Sequence, residues 1–351
     1  MRDGELLAVM RSRGAQLAEV EERTVAVSFG DAAGEDRALR ERVAVVDLPW
    51  LGRLQVTGGD RVDFLQGMLS NDVKKLRVGT GCPALLLSEQ GKAVADMIVL
   101  AGEDGFTLDG IASSLAAAQV ALERFIVADD VEIAPAGAAE RTFALLGPDA
   151  PAVVARLGAS VPPAPYDHVH TDMGGAALHL VRVPTPGVGG VLCHMSTDAA
   201  VVWWERCLDV GGAVPAGYDA FDVLRIESGV PWHGRDVTAE TLALEAPYEA
   251  AISFRKGCYL GQEVMERVTA RGHVNRKLVG LEITGDVVPA AGTRLHADAR
   301  DVGWVTSAAR SWRLGCVIAL AYVRREYLEP GTRLVVGDAA GAPATVRALP
   351  F

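Results

Sequence analysis

No two of the five cysteines, Cys82, Cys193, Cys207, Cys258 and Cys316, form a Cys-x-x-Cys pair, and their number is odd. That excludes a disulfide framework and the spacing of a zinc finger, and it points to a reducing, cytoplasmic compartment. The opening Met1-Arg2-Asp3-Gly4-Glu5 lacks the apolar run of a signal peptide. No stretch reaches the apolar length of a membrane span, so no membrane partner is expected. Basic residues are in deficit too: 34 Lys and Arg stand against 45 Asp and Glu, a formal net charge of −11. Broad nonspecific nucleic-acid binding needs the opposite balance, although a local basic patch fits on an acidic body.

Apolar material is plentiful. With 351 residues, 50% of them hydrophobic and 23% charged, the chain suits two or three domains with more than one core. Residues 5–20 read as a helix carrying Leu6, Leu7, Met10, Leu17 and Val20, and residues 24–57 as strands and turns. Asp60 suits a helix N-cap before an amphipathic helix at 61–70. A meander follows: Ala84 to Leu87, Val94 to Leu100 and Phe106 to Leu108, separated by Gly-containing turns. Helices are expected over 112–128, 151–157, 197–211 and 217–229, with strands between them, which gives α+β layers. After about residue 275 short strands recur (277–283, 302–307, 316–321, 332–336), the pattern of a small barrel or sandwich.

The richest segment is Phe254-Arg255-Lys256-Gly257-Cys258-Tyr259-Leu260-Gly261-Gln262-Glu263. Nearby cations favour thiolate over thiol, so Lys256, Arg255 and Arg267 make Cys258 a candidate nucleophile, redox group or ligand. The plain alternative is a small buried residue, as expected for the other four cysteines. From 255 to 277 six cations (Arg255, Lys256, Arg267, Arg271, Arg276, Lys277) face two acids (Glu263, Glu266). Such a run is either a solvated face or a site for an anion, be it a polyglutamate tail, a phosphate backbone or a partner protein. Gln262 and Glu263 are rim hydrogen-bonders or residues of a helix N-terminus.

Lys256-Gly257-Cys258-Tyr259-x-Gly261-Gln262-Glu263-x-x-x-Arg267 resembles the signature of the YgfZ group of folate-binding proteins, within the superfamily of the glycine-cleavage T protein, an aminomethyltransferase. Leu65-Gln66-Gly67-Met68-Leu69-Ser70-Asn71-Asp72-Val73 is similar to the superfamily's first helix and Asn-Asp turn. Residues 91–100 resemble its Gly-rich hairpin; Gly303-Trp304-Val305-Thr306-Ser307 and Ile318-Ala319-Leu320-Ala321 resemble its final barrel. The resemblance covers residue 40 to the end. It implies an α+β fold of two intertwined domains over residues 1–275 and a C-terminal β-barrel over 276–351. It implies tetrahydrofolate in a central opening, with Asn71, Asp96 and Arg225 near it. It also implies iron–sulfur proteins or their assembly factors as partners, some of them tRNA-modifying. The alternatives are a folate-dependent aminomethyl or one-carbon transferase and a noncatalytic RNA- or protein-binding module.

Asp96 interrupts an apolar strand, Val94-Ala95-Asp96-Met97-Ile98-Val99, where a carboxylate is costly unless paired or solvated. The resemblance makes it a catalytic candidate that orients a folate amine. The transferases carry two adjacent acids here, and this chain has Ala95 in the first place. Arg225 sits on an expected helix; the alternative to a pterin contact is a surface pair with Glu227. The turn that supplies a pterin-gripping glutamate in the transferases corresponds to 184–190, which holds no acid. His168, His170, His179 and His194 do not form a known metal cage, so surface or hydrogen-bonded roles and no metal are expected.

Overall fold

The computed structural model describes residues 2–137, 140–173, 175–184, 188–298, 300–338 and 341–351. They form a mixed α+β protein of two units interleaved along the chain, and the C-terminal part is a closed six-stranded barrel. The first unit takes Met1–Leu65, Val73–Pro83 and Met97–Phe221; the second takes Gln66–Asp72, Ala84–Asp96 and Asp222–Phe351.

In the first unit a six-stranded sheet runs in the order His168–Met173, Ala176–Val183, Gly190–Ser196, Glu140–Leu146, Ala44–Asp47, Val214–Ala216. All neighbours are antiparallel except the last pair. Glu140–Leu146 is buried on both faces from Arg141 onward and reads as a near-continuous apolar run. Phe143 and Leu145 pack with Trp203 and Trp204 of the helix Thr197–Asp209 and with Leu6 and Met10 of the N-terminal helix. A second sheet of the order Gly81–Leu87, Ala93–Ala101, Phe106–Ile111, Leu51–Thr57, Glu132–Pro135 also begins here; its first two strands run across the division into the second unit.

In the second unit the barrel order is Arg276–Ile283, Val317–Arg324, Arg300–Arg310, Arg294–Ala297, Arg333–Val336, Ala342–Arg347, closing on the first strand. Its interior is aliphatic: Leu281, Ile283, Val305, Val317, Ala319, Val323 and Val346 are buried there. Closure leaves no free sheet edge. Beside it Leu85, Leu87, Ala93, Val237, Tyr248, Tyr259 and Met265 form a further apolar cluster.

Several sequence expectations need correction. The helix expected over 5–20 is Arg2–Ser12; Gly14 at φ +97° ends it, and Leu17 and Val20 lie in the strand Gln16–Val20 of a hairpin. A helix, Ala32–Glu41, stands in the stretch read as strands and turns. Asp31 caps it by accepting from Gly34 N at 2.9 Å. Asp60 directly precedes the helix Arg61–Met68, where its carbonyl accepts from Phe64 N at 3.0 Å, and its side chain also accepts from Asp130 N at 2.8 Å. Two barrel strands, Arg294–Ala297 and Ala342–Arg347, are too short and interrupted by polar residues to stand out by alternation.

Candidate functional site

In the second unit, the start of the strand Ala93–Ala101 alternates: Ala93 and Ala95 are buried, while Val94 and Asp96 are half-buried. The period of two places Val94, Asp96 and Ile98 on one face. Asp96 Oδ1 is shielded from solvent and has no hydrogen-bond partner among the described residues, and the same is true of the Tyr248 hydroxyl. The two groups nevertheless act on each other's proton affinity. Burial, the largest influence, raises the Asp96 carboxyl above its usual range. The charge of His233 and backbone hydrogen bonding oppose that rise. Burial and the Asp96 charge push Tyr248 well above its ordinary value. His233 places Nε2 3.4 Å from the Ala93 carbonyl, which fixes its ring beside the strand.

Arg225 is not a surface partner of Glu227. Glu227 accepts from Ser311 Oγ at 2.6 Å and from Arg313 Nε at 2.7 Å. Arg225 is buried and donates Nε to Asp222 at 2.7 Å, Nη2 to Ser307 Oγ at 2.7 Å and Nη1 to Asp236. Asp236 also accepts from Trp232 N at 2.9 Å and from Thr306 Oγ1. The guanidinium therefore ties the helix Tyr218–Glu227 to the barrel strand Arg300–Arg310. Trp232 lies under both Arg225 and Arg235, whose guanidinium carbons are 5.9 and 4.9 Å from its ring centre.

Lys256 has a structural task. Its ammonium donates to the carbonyls of Gln66 at 2.6 Å, Leu69 at 2.5 Å and Asn71 at 2.9 Å. These carbonyls lie at and just past the C-terminal end of the helix Arg61–Met68, where a cation neutralises exposed acceptors. Asn71 donates Nδ2 to the Ala250 carbonyl at 3.2 Å, so the Asn-Asp turn and the segment leading to Cys258 are clasped together.

Residues 6–256 match the family profile described as the GCVT N-terminal domain, and residues 276–351 that of the glycine cleavage T-protein C-terminal barrel domain. The chain belongs to the glycine-cleavage T-protein family. It is 30% identical to an aminomethyltransferase of Synechococcus sp. over 99% of this chain and 97% of that protein. It is 28% identical to one of Halalkalibacterium halodurans over 88% of this chain and 86% of the relative. In fold it resembles the crystal structure of glycine cleavage system aminomethyltransferase T from Bartonella henselae, with a TM-score of 0.90, 22% identity and coverage of 99% of this chain and 96% of that one.

Within this T-protein-family chain Cys258 is exposed, whereas Cys193 and Cys207 are buried and burial pushes both thiols up. Gly257 has open space around it, so the loop does not require glycine there. Gly261 does: it sits at φ +80° as the N-cap of the helix Gln262–Arg271, and an added Cβ would come within 2.4 Å of the Ser88 carbonyl. Tyr259 is buried, and its ring centre is 5.2 Å from the Lys256 ammonium. Gln262 accepts from Tyr259 N at 3.2 Å and donates to Glu266 at 2.7 Å; Glu263 lies in the helix's first turn.

The run of cations is less available than its count suggests. Lys256 is closed on three carbonyls, and Arg276 pairs with Glu245 at 3.0 Å and stacks over Trp304 and Tyr322. Arg255, Arg267 and Lys277 are exposed, while the Arg271 side chain lies outside the described residues. Residues 185–187 of the expected pterin turn also lie outside them.

His168, His170, His179 and His194 belong to the first unit. His170, His179, His194 and Thr142 stand directly opposite one another on four adjacent strands. Arg53 Nη1 donates to His179 Nδ1 at 2.9 Å, His179 Nε2 lies 2.8 Å from His168 Nδ1, and His168 Nε2 lies 3.1 Å from the Ala101 carbonyl. A carbonyl only accepts, so this chain fixes both rings as neutral Nε2–H tautomers. Burial first, then His194, His170 and Arg53, pushes His179 down to about 2. No group of three or more metal-capable side chains gathers among the described residues.

Sequence reasoning missed Tyr248, His233 and Asp236. None lies in a motif, and only folding brings them to Asp96 and Arg225.

Proposed function

We propose that this T-protein-family member binds tetrahydrofolate and transfers an aminomethyl-derived one-carbon unit to it, with Asp96 as the carboxyl that exchanges a proton with a substrate amine. One observation carries the proposal: Asp96 Oδ1 is shielded from solvent with no hydrogen-bond partner among the described residues. Buried polar atoms are seldom left so, and an amine-bearing substrate supplies a donor. Burial also moves a carboxyl toward the range where proton exchange is efficient at neutral pH. Arg225 and Asn71 would serve folate by holding the surrounding walls, since their described contacts are with the chain itself. The folate-binding region would occupy 1–275 and the barrel 276–351. The relatives' name, aminomethyltransferase, supports the reaction class.

Calorimetric titration with tetrahydrofolate tests binding; release of ammonia from N- or S-aminomethyl donors in its presence tests transfer. Binding with ammonia release is expected. No heat of binding at millimolar folate overturns the proposal.

Exposed Cys258 favours a second reading, a YgfZ-type protein that supports iron–sulfur proteins or their assembly factors, including tRNA-modifying enzymes, in the cytoplasm. A deletion strain should lose iron–sulfur enzyme activity that the wild-type chain restores and Cys258→Ala does not. Full rescue by Cys258→Ala removes the thiol's role. RNA binding is disfavoured by the internal use of Lys256 and Arg276. No helix among the described residues is long and apolar enough to cross a membrane.

A further inference from the structure

The barrel carries a row of cations and aromatic rings on its outer face. Arg276, first residue of the strand Arg276–Ile283, stands directly opposite Arg324, last residue of Val317–Arg324. Tyr322 stands opposite Trp304, and Trp304 opposite Arg294. The period of two sends Leu295, Val305 and Val323 into the barrel interior and this row outward. The row borders a cavity of about 380 Å³ that lies wholly within the second unit. The Trp304 and Tyr322 ring centres are 5.2 Å apart. The guanidinium carbons of Arg276 and Arg294 lie 4.8 and 5.5 Å from the Trp304 ring centre.

Charge in this cavity is unbalanced. Its two acids are already matched, Asp301 by Arg294 Nε at 2.8 Å and Glu326 by Arg325 Nε at 3.2 Å. Arg276 sets only its Nε against a carboxylate, that of Glu245 at 3.0 Å. Its terminal nitrogens make no hydrogen bond among the described residues, and the exposed Arg324 side chain makes neither a hydrogen bond nor an ion pair there. Like charges directly opposite on neighbouring strands repel. An anion placed between Arg276 and Arg324 turns that repulsion into attraction.

We propose that this outer face of the barrel binds a nucleoside monophosphate, with the phosphate between Arg276 and Arg324 and the base laid along Trp304 toward Arg294. A phosphate monoester is close to dianionic at neutral pH and has three terminal acceptor oxygens, enough for two guanidinium forks. A single carboxylate fills only one fork. Tyr322, with Trp304 beside it, lies two residues along the strand from Arg324, about 7 Å away, a gap that the sugar spans. The indole and the guanidinium of Arg294 then offer the base the stacking and cation–π contacts that planar rings favour. The site is separate from the reading of Asp96 and does not depend on it.

The test titrates the full chain with AMP, adenosine and inorganic phosphate at about 0.15 M salt, where loose surface attraction is screened. Calorimetry reads affinity and tryptophan fluorescence reads the base. AMP is expected to bind saturably and quench emission, with inorganic phosphate and adenosine each at least about tenfold weaker. Arg324→Gln should lower AMP affinity about tenfold, the size of one hydrogen bond to a charged group. It should not lower the thermal midpoint of the free protein, because it removes a repulsion. Trp304→Phe should abolish the quenching and leave the binding of inorganic phosphate unchanged. No saturable AMP binding at millimolar concentration overturns the proposal. So does AMP binding no tighter than inorganic phosphate, or an affinity unaltered in Arg324→Gln. A lower thermal midpoint in Arg324→Gln assigns that arginine to the barrel's own stability and also counts against the site.

Discussion

Two carboxylates of the second unit, Asp236 and Asp96, stand in opposite conditions. Asp236 accepts from Arg225, Thr306 and the Trp232 amide, and both its oxygens are occupied. Asp96 has an oxygen with no partner. A saturated carboxylate beside a guanidinium has no capacity left for a ligand and acts as a joint between elements. An unsaturated one holds unused hydrogen-bonding capacity, and burial makes that capacity strong. Under the proposed function, proton exchange and architecture fall on different acids of the same unit.

Exchanging the roles breaks the comparison most visibly. Asp96→Asn should lower ammonia release by about 10²–10⁴-fold, the span of general acid–base catalysis, while the thermal midpoint barely moves. A rate within threefold of wild type would place the proton transfer elsewhere. Arg225→Ala should do the reverse. It leaves Asp236 buried without its cation, at about 3–5 kcal/mol of stability, read by urea denaturation. Unchanged stability would mean that the joint is dispensable.

The first unit offers a milder probe. His179 is held neutral in the fold, at about 2, whereas the unfolded chain takes up its proton near 6.5. Below that pH the unfolded state binds more protons, so stability falls as pH drops from about 6.5 toward 2. At pH 5 the loss is about 2 kcal/mol from this one ring. His179→Gln should flatten that slope by about one proton, and an unaltered slope would assign it to other groups. The smallest effect concerns Cys258: Cys258→Ser should leave the thermal midpoint unchanged, because the side chain is exposed. Iodoacetamide should label Cys258 in the native protein well before Cys193 and Cys207; equal labelling would contradict their burial.

Much of the architecture was legible. The alternation of apolar and polar residues marks the meander around Asp96, and the change of texture near 275 precedes the barrel's first strand, Arg276–Ile283. The ordered similarities to the T-protein superfamily agree with the family the profiles assign, while the YgfZ resemblance of the Lys256–Arg267 motif is finer than those profiles. Less of the candidate site was visible. Asp96 stood out because a carboxylate in an apolar strand is anomalous. Tyr248 did not, since a tyrosine after Ala-Pro near a helical turn carries no local signal. Lys256 misled, because a cation in a motif reads as an anion site until its three carbonyl partners are seen. Arg225 misled likewise: three residues from Asp222 and two from Glu227, it suggested a local pair, yet Ser307 and Asp236 come from distant positions.

By itself the sequence determined where strands and helices have cause to form, because periodicity, turn chemistry and the Gly261 backbone are local properties. It also determined the family, because an ordered set of motifs survives without coordinates. Only the tertiary structure decided which charges are spent and which remain. Hydrogen-bond capacity is a sum over all neighbours in space, and the neighbours that satisfy Asp236 and close Lys256 come from segments scattered between Gln66 and Thr306.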